Sequence, residues 1–117
     1  MRLIKPTLLF ILLVLAPLLV SSDDANSEIE HLLITVGKSN CTFFRNEKMH
    51  TSADAEEHLR LKYRKGKKWI DTAEQFITRI ATQSSLSGKP YYIRCIESEQ
   101  LTGEWLTKEL AAYRQQE

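Results

Sequence analysis

Hydrophobic and polar positions divide this chain into an apolar leader and a longer segment of mixed character. Basic residues near the N-terminus precede an unbroken apolar run at residues 8–16, a proline follows at position 17, and small residues stand at the end of the leader, up to Ser22. This order predicts a cleaved export signal at residues 1–22, followed by a single exported domain at residues 23–117. The apolar part is shorter than the roughly 20 residues that cross a bilayer as a helix, so we expect no transmembrane helix after cleavage. A retained membrane anchor is the alternative.

The first part of the exported segment has apolar residues at helical spacing. They are Ile29, Leu32, Leu33 and Val36. Ser27 and Glu30 have the spacing of a capping box, and Gly37 is suited to end a helix. The pattern therefore predicts a first helix from Ser27 to Val36.

Strand-forming residues follow this helix. Residues 41–44 and 48–50 predict the two strands of a small hairpin, joined by a turn at residues 45–47. Successive side chains of a strand point to opposite faces. We therefore expect one of Phe43 and Phe44 to face the core and the other to face a neighbouring element.

A longer helical pattern occupies residues 53–82, and Thr51 offers an N-cap oxygen before it. Its apolar stripe consists of Ala55, Leu59, Tyr63, Gly66, Ile70, Ala73, Ile77 and Ile80. The register permits one continuous helix, but a glycine interrupts the stripe, and Asp71 with Glu74 has the spacing of a second capping box. We therefore expect two helices that break between Lys65 and Asp71.

The C-terminal third alternates between turn, strand and helix signals. Turn residues dominate positions 84–90, strand formers dominate positions 91–96, and the polar stretch 97–101 predicts a connection. Thr102 then opens a last helix. The residues that this helix turns inward are Trp105, Leu106, Leu110 and Tyr113. The elements together predict one small α+β domain, with about four helices flanking a short, mainly antiparallel sheet.

Cys41 and Cys95 are the only cysteines, and both lie in the exported part of the chain. An oxidising compartment favours their pairing, so the sequence predicts one intramolecular disulfide. Removal of 22 of the 117 residues leaves a domain with a modest core. A cross-link would therefore contribute a large share of the stability.

The strongest charge feature is a run of six cations in the middle of the chain. The run consists of Arg60, Lys62, Arg64, Lys65, Lys67 and Lys68. On a helix, Arg60, Arg64 and Lys67 share one stripe, which we identify as a candidate anion-binding surface. The alternative is an ordinary solvated face near a helix C-terminus. The whole chain has 16 basic and 15 acidic residues, a balance that argues against a nucleic-acid partner.

Motifs for metal, nucleotide or covalent chemistry are lacking in the sequence. His31, His50 and His58 are too scattered for a zinc motif, so no metal ligands are assigned. Lys89 follows Gly88 but precedes a proline and a strand, unlike the lysine of a phosphate-binding loop. We therefore assign no cofactor and no catalytic residue.

Several segments of the sequence resemble a family of small exported bacterial proteins of unknown function, domain-of-unknown-function family 5329. The segments are Phe44-Arg45-Asn46, His58-Leu59-Arg60-Leu61-Lys62, Asp71-Thr72-Ala73-Glu74-Gln75-Phe76-Ile77 and Ser84-Ser85-Leu86-Ser87-Gly88-Lys89-Pro90-Tyr91. The resemblance implies a location in or outside the bacterial envelope and no assigned reaction. Glu47 departs from the glycine expected after Arg-Asn, which puts a tight turn there in doubt. The positions that the resemblance singles out are Arg45, His58, Glu74, Ser85, Ser87, Lys89 and Tyr91.

The sequence favours a non-enzymatic binding or accessory module, periplasmic or secreted, in the bacterial envelope. Its expected partner is an envelope protein or an anionic envelope component, and we expect a monomer. The alternative is a small hydrolase or transferase that uses His58 with Glu74 or with a serine of the 84–87 loop. That alternative requires His58 within hydrogen-bond reach of its partner, directly or through one water, beside an open cavity.

Overall fold

The structure is a computed structural model that describes residues 22–116. Four helices and four strands follow one another as α1 (Ser22–Lys38), β1 (Thr42–Arg45), β2 (Lys48–His50), α2 (Ser52–Gly66), α3 (Ala73–Arg79), β3 (Tyr92–Cys95), β4 (Ser98–Leu101) and α4 (Thr102–Gln115). The sheet has the order β2-β1-β3-β4, and every neighbouring pair is antiparallel. The predicted α+β class is thus confirmed. The predicted signal sequence lies outside the described residues, except for Ser22, which begins α1.

The core lies between the helices and one face of the sheet. Phe43 of β1 and Ile93 of β3 are partners in register, and both are buried. The ring of Trp105 from α4 meets the ring of Phe43 edge to face, with centroids 6.3 Å apart. Phe44 points to the opposite face of the sheet, where the guanidinium carbon of Arg94 lies 4.7 Å from its ring centroid. The prediction that one phenylalanine faces the core and the other faces a neighbouring element is confirmed.

Helix α1 is longer than its pattern predicts. It runs from Ser22 to Lys38, so Ser27 and Glu30 lie inside the helix and the predicted capping box is wrong. Gly37 has a role in packing, because a Cβ at this position would lie only 1.7 Å from the carboxylate of Glu56 on α2. Glycine therefore leaves room for the Glu56 carboxylate, which binds Arg60 in this position.

The predicted break after α2 is confirmed. Helix α2 ends at Gly66, and a 3-10 turn at Lys67–Trp69 precedes α3. The cap of α3 differs by one residue from the prediction: the Thr72 hydroxyl accepts a hydrogen bond from the amide of Gln75. The side chain of Gln75 in turn accepts a hydrogen bond from the amide of Asp71, so this pair closes the helix terminus in place of Asp71 with Glu74.

The polar stretch 97–101, predicted to be a connection, contains strand β4 instead. Ser98 pairs with Cys95, and Leu101 pairs with Tyr92, along one edge of the sheet. An edge strand carries polar side chains without cost because solvent covers much of it, which explains why its composition gave no strand signal. Helix α4 then begins at Thr102 as predicted.

The disulfide between Cys41 and Cys95 is confirmed, with their Cα atoms 4.6 Å apart. It ties the residue just before β1 to the last residue of β3, so it holds together the two central strands of the sheet. Within residues 22–116, no helix is both long enough and apolar enough to cross a membrane.

Candidate functional site

Two cavities open where α2 passes the end of β1 and the residues that precede β3. Their volumes are about 320 and 400 Å³. Arg45, His58, Leu61 and Tyr91 line both of them. The cavities therefore adjoin each other, and these four side chains form their shared wall, which we call the Arg45 site.

Local geometry explains why Arg45 reaches this wall. It ends β1, and the next two residues, Asn46 and Glu47, form a tight hairpin turn with φ angles of 51° and 68°. Positive φ at both central residues is the signature of a two-residue hairpin turn that matches the twist of the strands. The tight turn thus forms although Glu47 stands where glycine would be less strained.

A chain of hydrogen bonds joins α2 to Tyr91. The ammonium of Lys62 donates to the carbonyls of Ile80 and Gln83, at 2.8 and 2.7 Å, and to the Tyr91 hydroxyl oxygen at 3.1 Å. The Tyr91 hydroxyl oxygen lies 3.3 Å from Nε2 of His58. Because that oxygen accepts from Lys62, its own proton is free to be donated to Nε2 of a neutral imidazole.

The Arg45 site gathers basic groups in a partly desolvated space. Burial, assisted by the charges of Arg45, Lys62 and His50, lowers the pKa of His58 to about 4. Burial also lowers the pKa of Lys62, with a contribution from Arg45, and raises the pKa of the Tyr91 hydroxyl. At neutral pH the site therefore holds a neutral imidazole and a protonated tyrosine beside the charged Arg45.

Three groups at the first cavity lack partners within residues 22–116. The guanidinium of Arg45 is only partly exposed, yet it forms no hydrogen bond or ion pair with any described residue. His50 Nε2 and Thr102 Oγ1 are buried there without a hydrogen-bond partner. Asp54 and Glu57 also line this cavity, but neither forms an ion pair with Arg45. Buried polar groups are normally satisfied in a folded protein, so their concentration here is typical of a ligand site.

The structure brings together three of the seven positions that the resemblance singled out, namely Arg45, His58 and Tyr91. Ser85 lines the second cavity. Ser87 and Lys89 brace the loop instead. The Ser87 hydroxyl donates to the side-chain oxygen of Asn46, and the Lys89 ammonium pairs with Glu47 at 3.3 Å. These two contacts hold the 84–90 loop against the hairpin turn.

Glu74 lies elsewhere, because its carboxylate binds Arg114 of α4 and it lines neither cavity. Within residues 22–116, His58 hydrogen-bonds to Tyr91 and to no serine or carboxylate. Glu74 is therefore remote from His58, and among the described residues no direct hydrogen bond joins His58 to a serine of the 84–87 loop.

Sequence reasoning did not single out Lys62, His50 or Thr102 for this site. Lys62 was counted as one member of the basic run, although it lies four residues after His58 and so shares its helix face. That spacing was the signal that could have placed it here. His50 and Thr102 are brought to the cavity by tertiary packing.

The predicted anion-binding stripe is divided by the fold. The guanidinium of Arg60 binds the carboxylates of Glu30 and Glu56, and these hydrogen bonds raise the pKa of Arg60. Arg64 is exposed, and the Lys67 ammonium lies 5.8 Å from the ring centroid of Tyr63. Arg60 is thus engaged by the fold itself, and anion binding by the stripe stays a prediction.

Comparisons with known proteins give a family and no reaction. The chain is 50% identical over 54 residues to "Uncharacterized protein YfeK" of Salmonella typhimurium, an alignment that covers 46% of this chain and 45% of that protein. The chain thus spans less than half the length of this curated relative. No solved structure matches. The sequence model of one family, described as "Family of unknown function (DUF5329)", matches residues 23–114. The chain belongs to this family of unknown function.

Proposed function

We propose that the protein is a non-enzymatic binding module of the bacterial envelope, periplasmic or secreted, whose Arg45 site binds a small organic anion with an apolar body. The observation that carries this proposal is the unpaired, partly buried guanidinium of Arg45 at the wall of two cavities. A guanidinium offers parallel donors that match a carboxylate or phosphate group.

The surroundings of Arg45 support a ligand with both an anionic group and an apolar group. The first cavity is lined on its apolar side by Phe43, Phe44, Leu59 and Leu61. Its polar side is lined by His58, by the unpartnered atoms of His50 and Thr102, and by Asp54 and Glu57, neither of which forms an ion pair with Arg45. A concave, largely apolar site with a few convergent polar groups is the usual form of a small-molecule site, and about 320 Å³ is within its usual size range.

Two features support an envelope location. The N-terminal pattern is typical of an export signal. The disulfide between Cys41 and Cys95 is of the kind that persists in oxidising compartments. An anionic envelope component is therefore the expected source of the ligand.

The test is a titration of the folded protein with octanoate and with N-acetylleucine, followed by amide chemical shifts in NMR spectra. We expect shifts that saturate at residues around Arg45, and an affinity that falls on the order of ten- to a hundredfold in Arg45→Gln, because a hydrogen-bonded charge is lost. Octyl glucoside has a similar apolar chain without the charge, and we expect it to bind more weakly than octanoate.

Lys48→Gln is the matched control. Lys48 is the partner of Arg45 in the register of the hairpin, is exposed, and lines neither cavity. The Lys48→Gln substitution removes the same charge from the same face of the hairpin, so octanoate affinity should change less than twofold. Equal affinity in the wild type and Arg45→Gln, or no shifts around Arg45 with either anion, would contradict the proposal.

A further inference from the structure

A second exposed feature lies at the end of α2, away from the shared wall of the cavities. Trp69 ends the 3-10 turn and is 57% exposed. The turn is held in place, because Arg79 donates a hydrogen bond to the Trp69 carbonyl and the next residue, Ile70, is buried in the core. The indole is therefore presented to solvent by an anchored segment. A single exposed aromatic side chain is common on protein surfaces, so its significance depends on the charges beside it.

Four cations precede this indole within five residues of the sequence, and we call the set with the indole the Trp69 surface. It consists of Arg64, Lys65, Lys67, Lys68 and Trp69. All five side chains are exposed, and within residues 22–116 none of the four cations forms an ion pair with a carboxylate. Arg60, one helical turn earlier, binds two carboxylates. Cations near a helix C-terminus favour the helix dipole, but this effect explains neither Lys68, beyond the helix, nor the exposed indole.

Lys68 places its charge beside the aromatic ring. Its ammonium lies 4.5 Å from the centroid of Trp69. An indole with neighbouring lysines is the combination found where proteins contact the headgroup region of a membrane, because indole is apolar with one polar N–H and lysines attract anionic headgroups. Single-stranded nucleic acid needs several aromatic platforms for successive bases, and here one indole is available.

We propose that the Trp69 surface docks the protein on anionic phospholipid headgroups, with the indole of Trp69 at headgroup level. The interaction is peripheral and uses none of Arg45, His58 and Tyr91, although Lys65 also lines the second cavity. It uses Lys65, Lys67 and Lys68 as the main contacts with the lipid charges. Arg60 takes no part, because its guanidinium is already bound by Glu30 and Glu56.

The chain has two tryptophans, so Trp105→Phe leaves Trp69 as the sole fluorescent reporter. We expect its emission to shift to shorter wavelength with vesicles of equal parts phosphatidylglycerol and phosphatidylcholine, and to stay unchanged with phosphatidylcholine alone. Binding should weaken from low to physiological salt, since the lipid charges are screened. Cosedimentation of the wild type and of Trp69→Phe gives a second readout that does not depend on the stability of Trp105→Phe.

The charge test compares two triple variants with the same net change. Lys65→Gln/Lys67→Gln/Lys68→Gln should lower the vesicle partition coefficient by tenfold or more, because several lysines near an anionic surface act together. Lys38→Gln/Lys48→Gln/Lys108→Gln removes three exposed lysines elsewhere and should change it less than threefold. Equal losses in both variants would overturn the proposal in favour of a net-charge effect. Absence of vesicle binding, or binding to single-stranded DNA or acidic polysaccharide but not to vesicles, would also overturn it.

Discussion

Arg114 and Arg45 are both partly desolvated arginines, and their surroundings are opposite in kind. The guanidinium of Arg114 binds the buried carboxylate of Glu28 at 2.6 and 3.0 Å and also binds Glu74, so it joins α4 to α1 and α3. Arg45 has no such partner among the described residues. The first arrangement cancels charge within the fold, whereas the second leaves charge available for a ligand.

The ammonium of Lys62 donates its hydrogen bonds to neutral acceptors, so the Arg45 site keeps the positive charge of Lys62. The acceptors of Lys62 are two carbonyls and the Tyr91 hydroxyl, all of them neutral. Its hydrogen bonds are therefore made without the neutralisation that Glu28 and Glu74 supply to Arg114. The partners of a charged group, more than its burial, therefore separate a structural role from a binding role.

The largest expected effect on stability comes from the disulfide, because it holds together the two central strands of the sheet. Replacing both cysteines, Cys41→Ala and Cys95→Ala, should lower the free energy of unfolding by about 3 kcal/mol. Urea unfolding of the variant and of the oxidised wild type measures this difference. A loss below about 0.5 kcal/mol, the level of an ordinary surface substitution, would show that the bridge is dispensable.

The next largest expected effect is a difference in stability between substitutions of Arg114 and of Arg45. Arg114→Gln leaves the Glu28 carboxylate buried without its cation, so we expect a loss of about 2 kcal/mol, reduced from the fully buried case because Arg114 is 40% exposed. Arg45→Gln should change stability by less than about 0.5 kcal/mol, since no bond within the fold is lost. Urea unfolding of both variants measures the pair, with Arg114→Lys as the variant that retains the charge. Similar losses at the two positions would remove the distinction.

Acid should act on the Arg45 site through His58. The pKa of His58 is about 4 in the folded protein and about 6.5 in the unfolded chain, so between these pH values the unfolded chain binds a proton that the folded protein does not. Stability is therefore complete above pH 6.5 and falls as the pH approaches 4, by about 1 kcal/mol after solvent screening. His58→Gln should lose this part of the pH dependence, and His31→Gln, outside the cavities, should keep it. Identical pH profiles for the wild type and His58→Gln would contradict the assignment.

The smallest expected change concerns the unpartnered hydroxyl of Thr102. Thr102→Val keeps the shape of the side chain and removes a buried polar group that has no partner, so we expect a gain in stability of up to about 1 kcal/mol. If the hydroxyl contacts the ligand, the same variant binds octanoate more weakly. One substitution then raises the stability and lowers the affinity. Thermal unfolding and the NMR titration provide the two readouts. A destabilised variant would show that the hydroxyl has a structural role.

Local patterns predicted most of the fold. The hairpin, the break after α2 and the start of α4 each follow from short-range signals, and the disulfide follows from the cysteine count. Strand β4 was missed because its polar residues are stabilised by pairing with β3, which composition does not reveal. The start of α1 was misplaced because serine is a typical N-cap residue, whereas Ser27 lies inside the helix.

The site was less predictable, because its members come from separate elements. Arg45 and Tyr91 were singled out only through the family resemblance, and His58 through the resemblance and the enzyme alternative; their proximity is a product of the tertiary fold. Lys62 was assigned to a surface run, although packing places it against the carbonyls of Ile80 and Gln83. A charge count along the sequence cannot distinguish Lys62 from its exposed neighbours.

Titration of the His58 imidazole by NMR, in the free protein and with saturating octanoate, shows whether the Arg45 site binds an anion beside this ring. We expect a pKa of about 4 in the free protein, because burial, assisted by the charges of Arg45, Lys62 and His50, disfavours the protonated ring. We expect a higher pKa with octanoate, because a bound anion favours the protonated ring. A pKa near 6.5 in the free protein, or one that octanoate does not change, would contradict the assignment of the Arg45 site as an anion-binding site.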